Sequence, residues 1–297
     1  MSNLTKYYKY LFKNTQSLSI APDVFLCHTV NMYKFSASML PITVRVDSDQ
    51  KMQRYEVPGI ELEYVPTNQF GHKEFTGSFL AGGKDGLAVS FCAEVPKCQH
   101  QKSKSFDSFT PEGREAQKTG EAPKGLVSLA HGPKSWVFND DCFEVFMQPE
   151  NSHYYYGWEI NAAGSCLDYK VSLKEGEFTP TIQELANPIS GVLEQEIAGQ
   201  KICFDYNWES TASWRIEVED EFLYLELFIP WSDFGLNEPP AEGSVWHGTI
   251  NRIIPIAHSD NQALQSILDF EGVEVIPRFH QPKLFAEFTW EHKNKPE

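Results

Sequence analysis

Residues 135–161 read SWVFNDDCFEVFMQPENSHYYYGWEIN, and their two-residue alternation predicts a β-hairpin. Asp141, Phe143, Val145 and Met147 alternate with Cys142, Glu144 and Phe146, so both faces of the first strand are apolar and one carries a carboxylate, Glu144. A carboxylate in that setting needs a partner, because an unpaired charge is costly to take out of water. Pro149, Glu150, Asn151 and Ser152 supply turn chemistry. Beyond the turn, Tyr154, Tyr156, Trp158 and Ile160 line one face of a second strand, and Tyr155, Glu159 and Asn161 line the other. Acidic groups and aromatic rings are concentrated here, which makes this hairpin the foremost candidate for a functional site.

Moving outward, residues 24–29, 42–47 and 55–64 are rich in β-branched and aromatic residues and are bounded by prolines, which predicts short strands. Residues 77–86 contain Gly82-Gly83 and Asp85-Gly86, a turn signal, ahead of an alternating strand over 87–95. Residues 96–134 are poor in large apolar side chains and predict a long surface loop. After the hairpin, 165–173 predicts a strand and 174–199 a meandering connection. Residues 212–219 and 222–229 predict a hairpin with a solvated acidic face, 230–236 a turn with a helical turn, 246–256 a buried strand and 283–291 a last strand. Many short strands, few helical patterns and no internal repeat predict an all-β fold, an antiparallel β-sandwich of immunoglobulin or jelly-roll type. It has one domain over residues 23–297, preceded by an irregular extension over 1–22.

The chain has 297 residues, with 25 basic against 41 acidic side chains and a formal charge of -16. That charge repels phosphate backbones and anionic lipid, which argues against nucleic acid and membrane partners. No apolar run is long enough to span a bilayer, and residues 1–22 lack the continuous apolar core of a signal peptide. A cytoplasmic location is expected for the sequence as it stands, or a secreted one if an export signal was removed. Six cysteines without a C-x-x-C pair predict free buried thiols rather than a zinc or thioredoxin-type site.

An ordered series of motifs resembles the carbohydrate-binding module family 9-like group, within the DOMON-type β-sandwich superfamily. Trp136 with residues 139–146, NDDCFEVF, resembles the family's W-x-D-D-x-V-E-V-F strand, and 154–168 resembles the Y-x-E-x-N pattern that follows it. Residues 214–217, 225–231 (LELFIPW), 243–252 and 279–285 (FHQPKLF) are similar to the later segments, with Ala286 where the family has glycine. The similarity covers about residues 87–290. It implies non-catalytic binding of the end of a saccharide, between aromatic rings and a polar set of carboxylates and amides. Glu144 matches a sugar-contacting glutamate, Trp136 and Phe279 stand for the two stacking rings, and Asn251 falls near a contacting amide. Arg252 joins the polar contacts. Glu159 occupies the place of an arginine, which changes the charge of the pocket.

The resemblance also implies structural calcium, for which Asp140 and Asp141 are the candidate ligands. In the alternative, one aspartate caps a turn and the other pairs with Arg252 or Arg215, and Glu144 pairs with Arg252 inside the sheet. Three other readings stay open. The chain is a structural or interaction sandwich without a sugar ligand; its acids form a glycosidase pair; or it holds haem through Met147, His153 or His280.

Overall fold

The structure is a computed structural model and describes residues 32–33, 42–47, 59–64, 74–95, 126–173, 188–197, 199–219, 221–255, 262–268 and 279–292. Its strands are β1 (Met32–Tyr33), β2 (Ile42–Asp47), β3 (Gly59–Glu61), β4 (Glu63–Tyr64), β5 (Thr76–Gly83), β6 (Gly86–Glu94), β7 (Cys142–Gln148) and β8 (Tyr154–Asn161). They continue as β9 (Cys166–Leu173), β10 (Val192–Ile197), β11 (Gln200–Asp205), β12 (Ser213–Glu219), β13 (Phe222–Pro230), β14 (Val245–Pro255), β15 (Gln262–Ser266) and β16 (Ala286–His292). Short 3-10 turns lie at Val137–Asn139, Trp231–Phe234 and Pro282–Leu284.

Hydrogen bonding runs in the order β10-β11-β9-β8-β7-β14-β16-β2-β5-β6-β13-β12. The path folds at β14, whose first residues pair with β16 while its last residues pair with β15, and its other edge pairs with β7. The front layer is therefore β10-β11-β9-β8-β7-β14-β15 and the back layer is β16-β2-β5-β6-β13-β12. They are packed face to face through one apolar cluster. Phe143, Val145 and Met147 of β7 and Trp158 of β8 meet Leu80, Val89, Phe91 and Leu225 of the back layer, and the Phe91 and Phe143 ring centroids are 4.6 Å apart. Trp231, Trp246 and Trp290 fill one end of this interior edge to face.

The central hairpin takes the predicted form. Cys142 pairs with Asn161 and Met147 with Tyr156, and the turn between them contains Asn151 at a φ of 58°. Alternation sends Phe143, Val145 and Met147 into the sandwich and Cys142 and Phe146 into a second cluster on the outer face of the front layer.

The expected all-β sandwich holds, with corrections in detail. The sheet is mixed rather than antiparallel throughout, since β1 with β3, β16 with β2 and β2 with β5 run parallel. Residues 77–83 belong to β5, and the turn expected within 77–86 is confined to Lys84 and Asp85, ahead of β6. Gly82 is there because a Cβ would sit 2.9 Å from Val46 Cγ2 of the parallel neighbour. The connection expected over 174–199 contains β10 at the edge of the front layer, where Leu193 and Ile197 join the second cluster and the polar Gln195 stands between them on the same face, so the apolar alternation is incomplete. The last strand starts at Ala286, after the 3-10 turn, rather than at residue 283. Predicted features over 1–22, 24–29 and 96–125 lie outside the described residues. Cys142 and Cys166 are buried free thiols, as expected. Among the described residues no helix is long and apolar enough to cross a membrane.

Candidate functional site

On the outer face of the front layer, neighbouring strands align one polar row. Ser266 of β15 is paired with Asn251 of β14, Asn251 with Glu144 of β7, and Glu144 with Glu159 of β8. The hydrogen bonds fix the orientation of Asn251. Its Oδ1 accepts from Thr249 Oγ1 at 2.7 Å and Ser266 Oγ at 2.6 Å, so its Nδ2 is directed to Glu144 Oε2 at 3.3 Å. At the other end Tyr169 OH donates to Glu159 Oε1 at 2.5 Å.

Both glutamates are 3 % exposed, and Glu159 Oε2 has no hydrogen-bond partner. Desolvation raises both acids above the ordinary carboxylate range, and for Glu144 the neighbouring Glu159 charge adds to it. Two buried carboxyls directly opposite in register repel when both are charged, so the pair retains a proton at pH values where a solvated glutamate is ionised.

Rings and the 279–285 segment enclose the row. His280 stacks on Phe146 with centroids 4.5 Å apart and planes 15° apart, and meets Phe204 edge-on at 4.8 Å. Its Nδ1 lies 2.9 Å from Tyr155 OH and its Nε2 3.4 Å from Tyr169 OH. Tyr169 reaches Glu159 because it is paired with Gly157, which leaves its ring room to lie across β8.

The structure places the sequence candidates in three groups. Glu144, Glu159 and Asn251 come together in the row. Trp136 and Phe279 belong to the same outer cluster; Trp136 is half-buried, edge-on to Phe138 at 5.2 Å and Tyr206 at 6.2 Å, while Phe279 is 6 % exposed. Arg252 projects to the opposite side of β14 from Asn251. There it donates to Thr76 Oγ1 and to the Glu94 carbonyl, each at 2.8 Å, and ties the two layers across the interior.

Asp140 accepts from the backbone N–H groups of Leu129 at 2.9 Å and Ala130 at 3.0 Å and from Asn161 Nδ2 at 2.8 Å. Asp141 Oδ2 accepts from Val127 N–H at 2.7 Å, and Oδ1 has no hydrogen-bond partner. Burial pushes the Asp141 carboxyl up to about 7, against the pull of the Arg252 charge. Calcium takes about six to eight oxygen ligands. The Asp140 oxygens hold the 126–130 segment to the hairpin instead, and no group of three His, Cys, Asp or Glu among the described residues is placed to hold a metal. These residues do not fit a calcium cage. Of the residues considered for haem, Met147 lies inside the sandwich, His153 is exposed and His280 is stacked on Phe146.

Tyr169, Thr249 and Ser266 complete the row beside Tyr155, which the hairpin's alternation already put on the face of Glu159; the first three carry no comparable signal in the motifs. Alternation in 165–173 puts Tyr169 on the face of Leu167, and Gly157 within a run of aromatics marks where a ring can cross the strand. Ser266 sits on β15, a strand of mixed polarity with no alternating signature.

No protein-family model matches the chain, and no curated protein sequence does. Among solved structures, a candidate carbohydrate-binding protein from Bacteroides uniformis matches over 84% of this chain and 99% of its own, at 17% identity and a TM-score of 0.50. Two structures of a carbohydrate-binding module of family 9 from Caldicellulosiruptor kristjanssonii also align. The one in complex with cellotriose covers 86% of this chain and 95% of its own, at 11% identity and a TM-score of 0.43. The one in complex with glucose covers 80% and 87%, at 9% identity and a TM-score of 0.39. The likeness to the Bacteroides uniformis protein is one of fold, and it agrees with the sandwich that the motif order implied.

Proposed function

We propose that the chain binds the end of a saccharide at the polar row on the outer face, without catalysis. The observation that carries this reading is the alignment of Glu159, Glu144 and Asn251 in one row within an aromatic face, with Glu159 Oε2 lacking a partner. A sugar ring needs that combination, apolar rings for its C–H faces and acceptors and donors for its hydroxyls. Sharing a fold with a candidate carbohydrate-binding protein adds support. In this reading Glu144 and Glu159 accept hydroxyl protons, Asn251 holds Glu144 in place, and Trp136 and Phe279 offer ring surface. The glutamates are almost fully covered, so the ligand enters as the 279–285 segment lifts from Phe146 and Tyr155.

Glycan-array screening followed by calorimetry tests the proposal. Binding that is lost in Glu144→Ala and weakened at least several-fold in Trp136→Ala is the expected result. Ligand binding that neither variant changes removes the site assignment. The burial of Glu144, Glu159 and Phe279 favours a second reading, a structural or interaction sandwich whose pocket is closed. An array without a single bound glycan would establish that one.

A further inference from the structure

Like-charged side chains opposite one another in register destabilise a strand pair, yet β7 and β8 place Glu144 against Glu159 at the centre of the front layer. The described groups that face the pair are acids, neutral donors and one imidazole. Tyr169 of β9 and Asn251 of β14 donate to it, Tyr155 of β8 and Tyr206 after β11 stand near it, Cys142 is two residues from Glu144, and His280 reaches it through the Tyr169 hydroxyl. Among the described residues no lysine or arginine is directed to this face from these elements; Arg252 is directed to the back layer and Lys134 to Asp168. One oxygen, Glu159 Oε2, is buried and without a donor.

Resting on the saccharide reading above, we infer that the preferred ligand carries a primary ammonium group, as a free hexosamine does, and that this group is held between Glu144 and Glu159. Three N–H donors match what the row lacks: one fills Glu159 Oε2, and a second reaches Glu144 opposite it, across strands whose facing Cβ atoms lie about 5 Å apart. The cation also removes the repulsion between the acids, so the proton the pair retains is released to solvent as the ammonium arrives. A neutral hexose supplies hydroxyl donors and leaves that proton in place.

Calorimetry on the full chain tests this with gluco-, galacto- and manno-configured probes, each as the free hexosamine, its N-acetyl form and the parent hexose. The expected result is one hexosamine binding at least about tenfold tighter than both of its neutral counterparts. Repeating the titration in buffers of different ionisation enthalpy should show release of about one proton per site for the amine and none for the hexose. In Glu159→Gln the amine preference should fall to within about twofold. Equal binding of amine and hexose, or amine binding without proton release, overturns the inference while leaving saccharide binding intact. Failure of every hexosamine to bind overturns it as well, and the glycan array then decides the broader reading independently. Because proton release is read on the unaltered chain, the inference stands or falls even if Glu159→Gln does not fold.

Discussion

Tyr169 lies across the bare backbone of Gly157 and delivers its hydroxyl to Glu159, two residues further along the same strand. The glycine and the tyrosine act as one unit. Without a Cβ at 157 the ring can cross β8, and only from that position does the hydroxyl reach the buried carboxyl.

Gly157→Ala should therefore cost about 1–3 kcal/mol, the range for an overpacked core position, because the new methyl collides with the Tyr169 ring. Tyr169→Phe keeps the ring and removes the donor, leaving Glu159 Oε1 unpaired at a cost of about 1–3 kcal/mol. Urea denaturation measures both. A Gly157→Ala protein as stable as the parent would show that the ring does not depend on that gap.

The glutamate pair sets a pH dependence of defined sign. Unfolded, a glutamate ionises near its usual value of about 4.3; folded, Glu159 is pushed up to about 7 and Glu144 is raised as well. Between those values the folded state binds more protons than the unfolded state, so this contribution to stability is full below the unfolded value and is lost as pH rises through the folded one. Glu159→Gln removes one titration. Its stability relative to the parent should improve from about pH 5 to about pH 8 by roughly 1 kcal/mol or more, and the raised Asp141 cancels in the difference. A difference that stays constant with pH would remove the buried pair as its source.

Asp140 holds three donors from two segments, so Asp140→Ala should destabilise by about 2–4 kcal/mol, with Asp140→Asn retaining part of that. Amide exchange provides the local readout. The Leu129 and Ala130 amides should exchange faster in Asp140→Ala even where the fold is otherwise intact.

Arg252→Ala should cost about 3–5 kcal/mol, since it leaves Asp141 buried without the neighbouring cation and Thr76 without its donor. Arg252→Met together with Asp141→Leu removes both charges and should recover much of the loss. A double variant no more stable than the single one would mean that Arg252 acts through the Glu94 carbonyl rather than through charge.

The central hairpin was legible because alternation has one meaning when one face meets a sandwich interior and the other a second cluster. Alternation separates Phe143, Val145 and Met147 from Cys142, Glu144 and Phe146, while which set meets the interior depends on packing, because both faces are apolar. β10 and β15 were not legible, because the polar residues of an edge strand and of a short strand carry little periodicity. β5 was hidden by its own glycines, of which Gly82 serves close approach to Val46 rather than a turn. Of the candidates read from the sequence, Glu144, Glu159 and Asn251 come together in the polar row. The opposite directions of Asn251 and Arg252 also follow from alternation, but which of the two faces the glutamates depends on the pairing of β14 with β7, a long-range register that local sequence does not encode.

The position of β16 bears on how the molecule comes into being. This strand pairs Phe288 with Ile42 on one edge and Ala286 with Gly248 on the other, so it stands between the earliest long strand and the one where the sheet folds over. During synthesis neither edge can be satisfied until residues 286–292 have left the ribosome, and contacts of such sequence separation form slowly. The nascent chain then presents two unpaired edges, from β2 and from the first half of β14. A chain that ends before residue 286 leaves both edges open, the arrangement that favours edge-to-edge association.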